Sequence, residues 1–342
     1  MNTLEDAIES CWIEFRDLPG GDAVIAAICG TSSAGQLADW YAAVACEHLG
    51  AQIRRPWSFT QSVGPVAALE LDDDRVVVVK GYPQRVASDV LTAVHRVQRH
   101  LAHHEFPCPV PIVGPVPFGH GRLAMIEAWF DDGGNDFGSG AMAASATGLA
   151  RMVRLAAVDG VDSLARSMMA RAPGTRYPEP HSPLFDFSRP HPNVDAIDAL
   201  ADRALAVIDA IDVAPVTIHG DWSARNVRFG PEGLRGAYDW DSLIRLPEAL
   251  GVGIAAATWR SFGEADDEIA PDPDEVDEYV RHYEAARGRG FDPSERAAAF
   301  AQALFVLCYT ARCEISLGPG HPVRAVARLE RSSGGFLARF GA

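Results

Sequence analysis

Lysine is almost absent from this sequence. Of its 30 lysine and arginine residues only Lys80 is a lysine, and it follows the apolar run Val76–Val79. An ammonium is a compact charge on a flexible stem and suits phosphate oxygens, whereas a guanidinium is a planar fork. A lysine at the end of a strand also often only reaches solvent. Lys80 alone therefore leaves both roles open.

Positive charge is scarce overall as well. The formal net charge is −16 at pH 7, which argues against nucleic acid as a partner and is compatible with a cationic small ligand. The six cysteines are scattered and form no C-x-x-C pair. They are typical of reduced packing residues, not of a metal site or a disulfide framework.

Long apolar runs are missing too. No apolar stretch reaches the ~18 residues that span a bilayer. The acidic residues Glu5, Asp6 and Glu9 stand where a signal peptide carries positive charge. We therefore expect a cytoplasmic protein without a membrane partner.

The patterns that are present predict two lobes, because 342 residues exceed one typical core. Helical patterns at 3–16 and 33–49 precede a β-hairpin at 66–71 and 76–79, a helix at 88–103 and a strand at 123–126. Further helical patterns follow at 141–157, 195–211, 252–262, 276–288 and 294–316. The predicted class is α+β, with a helical extension or cap at 1–50, an N-lobe of sheet plus one helix at 51–130 and a helical C-lobe at 131–342.

The strongest local signal is an H-x-D-x4-N loop. It runs from His219 through Asp221 to Asn226, and Asp239 follows thirteen residues later. Phosphoryl transfer needs a carboxylate that accepts the proton of the attacking hydroxyl, oxygen ligands for Mg²⁺, and a cation for the phosphates. Asp221 and Asn226 alone are also common turn residues. The order and spacing of these residues after Lys80 favour the catalytic interpretation.

These residues resemble the aminoglycoside phosphotransferase-like family, which shares the protein-kinase fold; the resemblance covers about residues 55–320. It implies a bilobal protein-kinase-like fold, with a small antiparallel-sheet N-lobe and a larger, mainly helical C-lobe. It also implies ATP and Mg²⁺ as cofactors. By position, Asp221 would be the catalytic base, Asn226 and Asp239 would be Mg²⁺ ligands, and Lys80 would hold the α- and β-phosphates.

The resemblance also implies roles for residues around this core set. His219 would support the loop backbone, and Asp241 would either contact a second Mg²⁺ or cap the following segment. The run Met125-Ile126-Glu127-Ala128 resembles the family's adenine hinge, with base contacts from the Ile126 carbonyl and the Ala128 N–H. The other implied nucleotide-binding residues are Arg225 and, at the position of the phosphate-covering loop, Gln61, Ser62 and Gly64.

One departure from the family concerns the partner of Lys80. Kinase-like enzymes pair this lysine with a glutamate on the following helix, and residues 88–103 contain no glutamate. Asp89 lies at the helix start, where an acid is favoured by the helix dipole. We therefore expect Lys80 to be held by His95, Gln98 or the nucleotide itself.

The predicted acceptor is a hydroxyl of a small molecule, namely an aminoglycoside, an amino sugar or a related metabolite. Asp239 is soon followed by a helical pattern from about Glu248, which leaves no room for the peptide-docking segment of protein kinases. The acidic segment 264–278 predicts either an anionic rim for a cationic acceptor or a solvated loop. The substrate region nominated by the resemblance comprises residues 173–192, Trp259, Tyr279, His282, Tyr283 and Glu314.

The alternative function, motivated by the missing helix glutamate, is a non-catalytic kinase-like scaffold that binds nucleotide.

Overall fold

The computed structural model describes residues 3–18, 20–131, 140–260 and 270–341. The chain divides into two compact units. The first comprises Met1–Ala102, Pro109–Phe130 and His181–Leu184, and the second comprises His103–Cys108, Asp131–Pro180 and Phe185–Ala342. An antiparallel sheet lies in the first unit, and the second is mainly helical. The predicted α+β class is confirmed, whereas the boundaries at residues 50 and 130 stay a prediction.

Three helices open the first unit. α1 (Leu4–Arg16) begins with a capping box, in which the side chains of Thr3 and Asp6 each accept a hydrogen bond from the other residue's backbone N–H. The next elements are α2 (Gly21–Cys29), α3 (Ala34–Val44) and a π-helical turn (Ala45–Leu49). The helices predicted at 3–16 and 33–49 are confirmed. The sequence pattern does not predict α2, because nine residues give little helical periodicity.

A five-stranded antiparallel sheet follows, in the order β1-β2-β3-β5-β4. Its strands are β1 (Ile53–Gln61), β2 (Pro65–Leu71), β3 (Val76–Tyr82), β4 (Pro111–Phe118) and β5 (Arg122–Ala128). β2, β3 and β5 are the predicted strands. The edge strands β1 and β4 are not predicted. β4 carries Pro111, Pro115 and Pro117, and a strand rich in proline is tolerated only at a sheet edge.

The two faces of this sheet have different neighbours. Val77 and Val79 of β3 are buried in a core shared with the N-terminal helices, which contribute Trp12 among others. Because side chains alternate along a strand, Val78 and Lys80 lie on the opposite face. The N-terminal helices therefore cover the face that does not carry Lys80.

The helix predicted at 88–103 is α4 (Ser88–His103). Its buried side chains follow a helical period and include one polar group, Gln98, which is fully buried. A buried amide needs hydrogen-bond partners, and Gln98 donates to the Glu127 carboxylate and to the Pro109 carbonyl.

A long buried helix organises the second unit. The helices are α5 (Ala141–Leu155), α6 (Val194–Ile208), α7 (Glu248–Thr258), α8 (Pro273–Arg287), α9 (Pro293–Ser316) and α10 (Arg324–Arg339). α9 packs against α6, α7 and α10. Of the helices in the described ranges, only α9 is long and apolar enough to cross a membrane by length and composition, and 83% of that window is buried inside the protein. α9 is therefore a core helix here.

The five helices predicted for this region are present as α5 to α9, with their ends shifted by a few residues. α10 is not predicted, although its buried residues do follow a helical spacing: Ala325, Val326, Leu329 and Phe336. Four short strands complete the unit. β6 (Val216–His219) pairs antiparallel with β9 (Leu243–Leu246), and β7 (Val227–Gly230) pairs with β8 (Gly233–Ala237).

Candidate active site

The H-x-D-x4-N residues lie at the end of β6 and in the loop that leads to β7. Asp239 lies in the connection between β8 and β9, just before a 3₁₀ turn at Trp240–Ser242. Because β6 pairs with β9, His219 and Leu243 are opposite each other at the ends of these strands. The loop that follows His219 and the loop that precedes Leu243 therefore meet at the same end of the β6–β9 pair.

His219 joins these two loops. Its side chain is fully buried, with Nε2 2.9 Å from the Tyr238 carbonyl and Nδ1 3.2 Å from the backbone nitrogen of Asp221. A carbonyl only accepts and a backbone N–H only donates, so the ring hydrogen is on Nε2. Trp222 and Trp240 pack edge-on against the ring. The expected structural role of His219 is confirmed.

Gly220 is required by the close approach of these loops. Its N–H donates to the Ser242 carbonyl at 2.8 Å. A Cβ at this position would lie 2.8 Å from that same oxygen and 3.3 Å from Ile244 Cγ2, which is closer than atoms pack in protein interiors. Glycine stands between His219 and Asp221 because no side chain fits there.

Asn226 positions Asp221. Its Nδ2 donates to the Asp221 backbone carbonyl at 3.0 Å and to the carboxylate Oδ2 at 2.8 Å. The Asn226 N–H donates to Ser223, and its carbonyl accepts from Tyr238 N at 2.8 Å. An amide nitrogen has two hydrogens, and Asp221 receives both. The Oδ1 of Asn226 is therefore the atom that can serve as a ligand.

Asp239 has an unusual backbone. Its φ of 61° and ψ of 48° lie in the left-handed region, which residues other than glycine seldom adopt and which is often found at functional sites. Its Oδ2 accepts from Ser242 Oγ at 3.0 Å, and its carbonyl accepts from Ser242 N. Asp241, two residues on, is only 8% exposed. Both roles of Asp241, contact with a second Mg²⁺ and capping of the following segment, stay predictions.

The donor set fits a hard divalent cation. A carboxylate on Asp239 and the amide Oδ1 of Asn226 are oxygen ligands of the kind that Mg²⁺ takes together with phosphate oxygens and water. The described residues contain no cluster of three or more His, Cys, Asp or Glu side chains suited to a metal. The protein would therefore supply part of the coordination, and the phosphates would supply the rest.

In the first unit, Lys80 is half-buried near the end of β3. It lies opposite Val66 of β2 and Met125 of β5. Glu127 is two residues beyond Met125 on β5 and lies opposite Val78. No pattern in the sequence links this glutamate to Lys80 or to α4, because neighbours across strands are known only once the strand register is known.

The predicted phosphate-covering residues are at the turn between β1 and β2, and one needs correction. The Gln61 side chain accepts hydrogen bonds from Trp12 Nε1 at 2.8 Å and from Cys29 Sγ at 3.0 Å, so it is directed into the N-terminal helices. Gly64 is buried, and a Cβ there would collide with the Gly81 carbonyl. This glycine is explained by strand packing. Ser62 is exposed in the turn, and its role stays a prediction.

The predicted adenine hinge also needs correction. The Ala128 N–H donates to the Val110 carbonyl at 2.8 Å, and the Trp129 N–H donates to the Val76 carbonyl at 3.0 Å. The ladder of β5 thus continues through Trp129, and Met125 and Ile126 lie well inside the sheet. The Ala128 N–H is used by the protein, so a base contact from it is wrong. Residues 132–139 lie outside the described residues.

Arg225 is exposed in the loop between β6 and β7, and its carbonyl accepts from Arg228 Nη1 at 2.9 Å. Its nucleotide role stays a prediction.

Tyr279 and Tyr283, nominated for the substrate, are fully buried. The hydroxyl of Tyr279 is 3.1 Å from Ser145 Oγ, and that of Tyr283 donates to Glu248 at 2.7 Å. Both tyrosines are core residues, so this part of the substrate prediction is wrong.

The structure describes only part of the acidic segment 264–278. Residues 264–269 lie outside the described residues. Among the others, Asp272 accepts from the backbone of Asp274 and Glu275 and caps α8. Glu275 pairs with Arg260 at 2.7 Å, and Asp277 pairs with Arg296 at 2.6 Å. These carboxylates cap a helix and balance arginines, so they do not form the predicted anionic rim.

Known proteins match this chain in family and in fold. A family model described as "Phosphotransferase enzyme family" matches residues 65–298. No curated protein matches the chain. The family match begins after the N-terminal helices and β1, and it includes the loops of His219 and Asp239.

Several solved structures share the architecture. Amicoumacin kinase hAmiN, in complex with AMP-PNP, Ca²⁺ and Ami, has a TM-score of 0.56 at 10% identity, covering 84% of this chain and 88% of that one. Spectinomycin phosphotransferase with ADP and spectinomycin has a TM-score of 0.53 at 13% identity, covering 89% and 98%. An aminoglycoside phosphotransferase from Alicyclobacillus acidocaldarius has a TM-score of 0.50 at 16% identity, covering 84% and 91%. At these identities the matches show the fold, and the predicted kinase-like architecture is confirmed.

Proposed function

The chain belongs to the phosphotransferase enzyme family, and from this premise we propose that it transfers the γ-phosphate of ATP, with Mg²⁺, to a hydroxyl group of a small molecule. The observation that carries the proposal is the contact of Asn226 Nδ2 with Asp221 Oδ2 at 2.8 Å. This contact fixes a carboxylate and an amide oxygen in one loop. A base and a metal ligand held together are what phosphoryl transfer to a hydroxyl requires.

Asp221 acts as the base. Asn226 engages Oδ2, so Oδ1 is the oxygen that accepts a hydrogen bond from the acceptor hydroxyl. As that hydroxyl oxygen forms its bond to phosphorus, its proton passes to Asp221, and the bond from phosphorus to the ADP oxygen breaks. His219 holds the Asp221 backbone at 3.2 Å and so limits the positions that the carboxylate can take. Such positioning is a large part of catalysis when little covalent chemistry falls to the protein.

Asp239 and the Oδ1 of Asn226 would hold the metal ion, and Lys80 would hold phosphate oxygens. Mg²⁺, when bound, offsets the negative charge that develops on the transferred group. Ser242 Oγ donates to Asp239 Oδ2 at 3.0 Å and orients the ligand carboxylate. Lys80 provides a compact positive charge that no neighbouring lysine can replace, because the chain contains no other.

The charge of the protein indicates the acceptor class. A net charge of −16 favours a cationic acceptor such as an amino sugar or aminoglycoside. The described part of the acidic segment does not add to this, because its carboxylates are occupied. In this proposal the long-range negative charge of the protein attracts the cationic acceptor. Salt screens this attraction, so kcat/KM for the acceptor should fall as the salt concentration rises.

The test is ADP release from Mg-ATP with a panel of aminoglycosides, amino sugars and matched neutral sugars. We expect turnover with at least one hydroxyl acceptor, and a loss of about 10²- to 10⁴-fold in kcat for Asp221→Asn. Asp162→Asn, an exposed carboxylate in the same unit, is the matched control and keeps full activity.

Binding of Mg-ATP without turnover of any acceptor would support the non-catalytic scaffold instead. Retention of kcat by Asp221→Asn would remove Asp221 from the role of base. Equal turnover of neutral and cationic acceptors at low and high salt would contradict the proposed acceptor class while leaving the phosphotransferase activity in place.

A further inference from the structure

A nearby carboxylate favours the charged form of a half-buried ammonium such as that of Lys80, and α4 carries no carboxylate beyond its first turn. α4 (Ser88–His103) contains no glutamate, and its one carboxylate, Asp89, lies in the first turn. The other titratable side chains of α4 are basic or histidine: His95, Arg96, Arg99, His100 and His103. Within the first unit, the sheet face of Lys80 does carry carboxylates, those of Glu70 and Glu127.

The strand register identifies the candidate. Lys80 lies opposite Met125, and Val78 lies opposite Glu127. Directly opposed residues in an antiparallel pair point to the same face, and alternate residues of one strand share a face. Lys80 and Glu127 are therefore diagonal neighbours on one face of the sheet. Long side chains in this arrangement reach each other.

Gln98 holds Glu127 from the other side. Its fully buried amide donates from Nε2 to Glu127 Oε2 at 2.8 Å and to the Pro109 carbonyl at 3.0 Å. The two donations anchor the Nε2 end of the amide and hold the Glu127 carboxylate of β5 against α4. In this chain α4 thus contributes the amide of Gln98, a hydrogen-bond donor. In kinase-like enzymes the corresponding helix contributes the negative charge of a glutamate.

The other glutamate on this face is ruled out by its own contacts. Glu70 lies opposite Val76, four residues before Lys80 along β3. Its carboxylate accepts from Arg54 at 3.0 Å, from Arg55 at 2.8 Å and from Trp57 Nε1 at 2.9 Å. Glu70 therefore binds side chains of the edge strand β1, and its position along β2 is too far from Lys80 for contact with the ammonium.

We propose that Glu127 supplies from β5 the carboxylate that orients the Lys80 ammonium, and that Gln98 positions Glu127 for this task. The phosphate role of Lys80 rests on the proposed function; its pairing with Glu127 does not. Glu127 is a positioning residue in this scheme, not an adenine contact. In this scheme the ion pair joins two neighbouring strands, and α4 contributes to it through the Gln98 contact.

The uniqueness of Lys80 allows a direct test. Protein grown on lysine labelled with ¹³C at Cε gives one lysine side-chain signal, whose titration reports the pKa of Lys80 without nucleotide or acceptor. We expect Glu127→Gln to lower this pKa by about one pH unit, because the neighbouring negative charge is lost. The amide oxygen that replaces the carboxylate in this variant can still accept from Gln98 Nε2, so the fold is kept. Glu70→Gln removes the same charge from the same face and leaves the titration unchanged.

A second arm measures function. With Mg-ATP and a working acceptor we expect Glu127→Gln to lower kcat about tenfold and to leave the KM of the acceptor unchanged. An unaltered Lys80 titration in Glu127→Gln overturns the proposal, as does an equal shift in Glu70→Gln. If the titration shifts but the wild-type protein binds no Mg-ATP, the pairing stands and the proposed function fails.

Discussion

The amide of Asn226 donates two hydrogen bonds to Asp221, one to its backbone carbonyl at 3.0 Å and one to its carboxylate at 2.8 Å. Both amide hydrogens are used within one loop of six residues. The proposed base and the proposed metal ligand are therefore oriented by each other. A substitution at either position should change the properties of the other.

Asn226→Asp tests this coupling through pH. It places a second carboxylate within hydrogen-bond distance of Asp221, and two neighbouring carboxylates raise one of their pKa values strongly. We expect the acid limb of the pH–rate profile to move up by more than one pH unit. Asn193→Asp is the control, since Asn193 makes its contact with Glu330 at 2.7 Å away from the loop. An unmoved acid limb in Asn226→Asp would show that the pair is not coupled.

Asp239→Asn tests the metal role without an acceptor. The variant loses a charge that favours Mg²⁺ but keeps an oxygen for Ser242 Oγ. We expect Mg-ATP to raise the melting temperature of the wild type. The increase should be much smaller in the variant. ATP with a chelator is the reference for metal-free binding. A variant with the full Mg²⁺-dependent increase would place the metal elsewhere.

Gly220→Ala and Gly334→Ala form a matched pair. The first puts a Cβ 2.8 Å from the Ser242 carbonyl, and the second meets no atom within 4 Å. We expect Gly220→Ala to lower the free energy of unfolding by about 1–3 kcal/mol and to reduce turnover. Gly334 lies inside α10, where alanine should raise stability by about 0.5–1 kcal/mol. Urea unfolding of both variants measures these opposite signs.

Gln61→Leu distinguishes a structural from a nucleotide-binding role. The change removes the acceptor of Trp12 Nε1, whose side chain is fully buried. A buried donor without a partner costs about 1–3 kcal/mol, so the free energy of unfolding should fall by this amount. The KM for ATP should not change. Gln52→Leu, at an exposed position, controls for the substitution, and a raised KM with unchanged stability would return Gln61 to the phosphate site.

Glu314 gives a pH dependence of stability. Burial raises its pKa from 4.5 to about 7, against the lowering effect of the backbone N–H groups at the start of α10. The folded state therefore keeps a proton that the unfolded state releases, and stability falls as pH rises from about 4.5 to about 7. The loss is on the order of 3 kcal/mol.

Glu314→Gln removes this titration. We expect its unfolding free energy in urea to exceed that of the wild type at pH 8 and to approach it near pH 5. Exposed Glu232→Gln should follow the wild type at both values. Parallel pH curves for Glu314→Gln and the wild type would show that Glu314 does not carry the dependence.

Local patterns were enough to predict the family and most helices. Apolar periodicity indicates the helices around Leu91 and Leu304. The order and spacing of Asp221, Asn226 and Asp239 indicate the family. The interpretation of Gln61 and Ala128 failed for a different reason. Their hydrogen bonds go to Trp12 and Val110, which are distant in sequence, and nothing in either residue's neighbourhood indicates those partners. The place of Glu127 beside Lys80 likewise depends on the register of β3 and β5, which only the folded sheet determines.

The helices before residue 50 have a practical consequence for protein engineering. A shortened chain that starts at residue 65, where the family match begins, would lack β1 and would leave Val77, Val79 and Ile126 without their helical cover. An uncovered apolar sheet face with a new open edge promotes intermolecular strand pairing and precipitation. Anyone who transplants substrate loops between members of this family should keep residues 3–64 attached to the recipient scaffold.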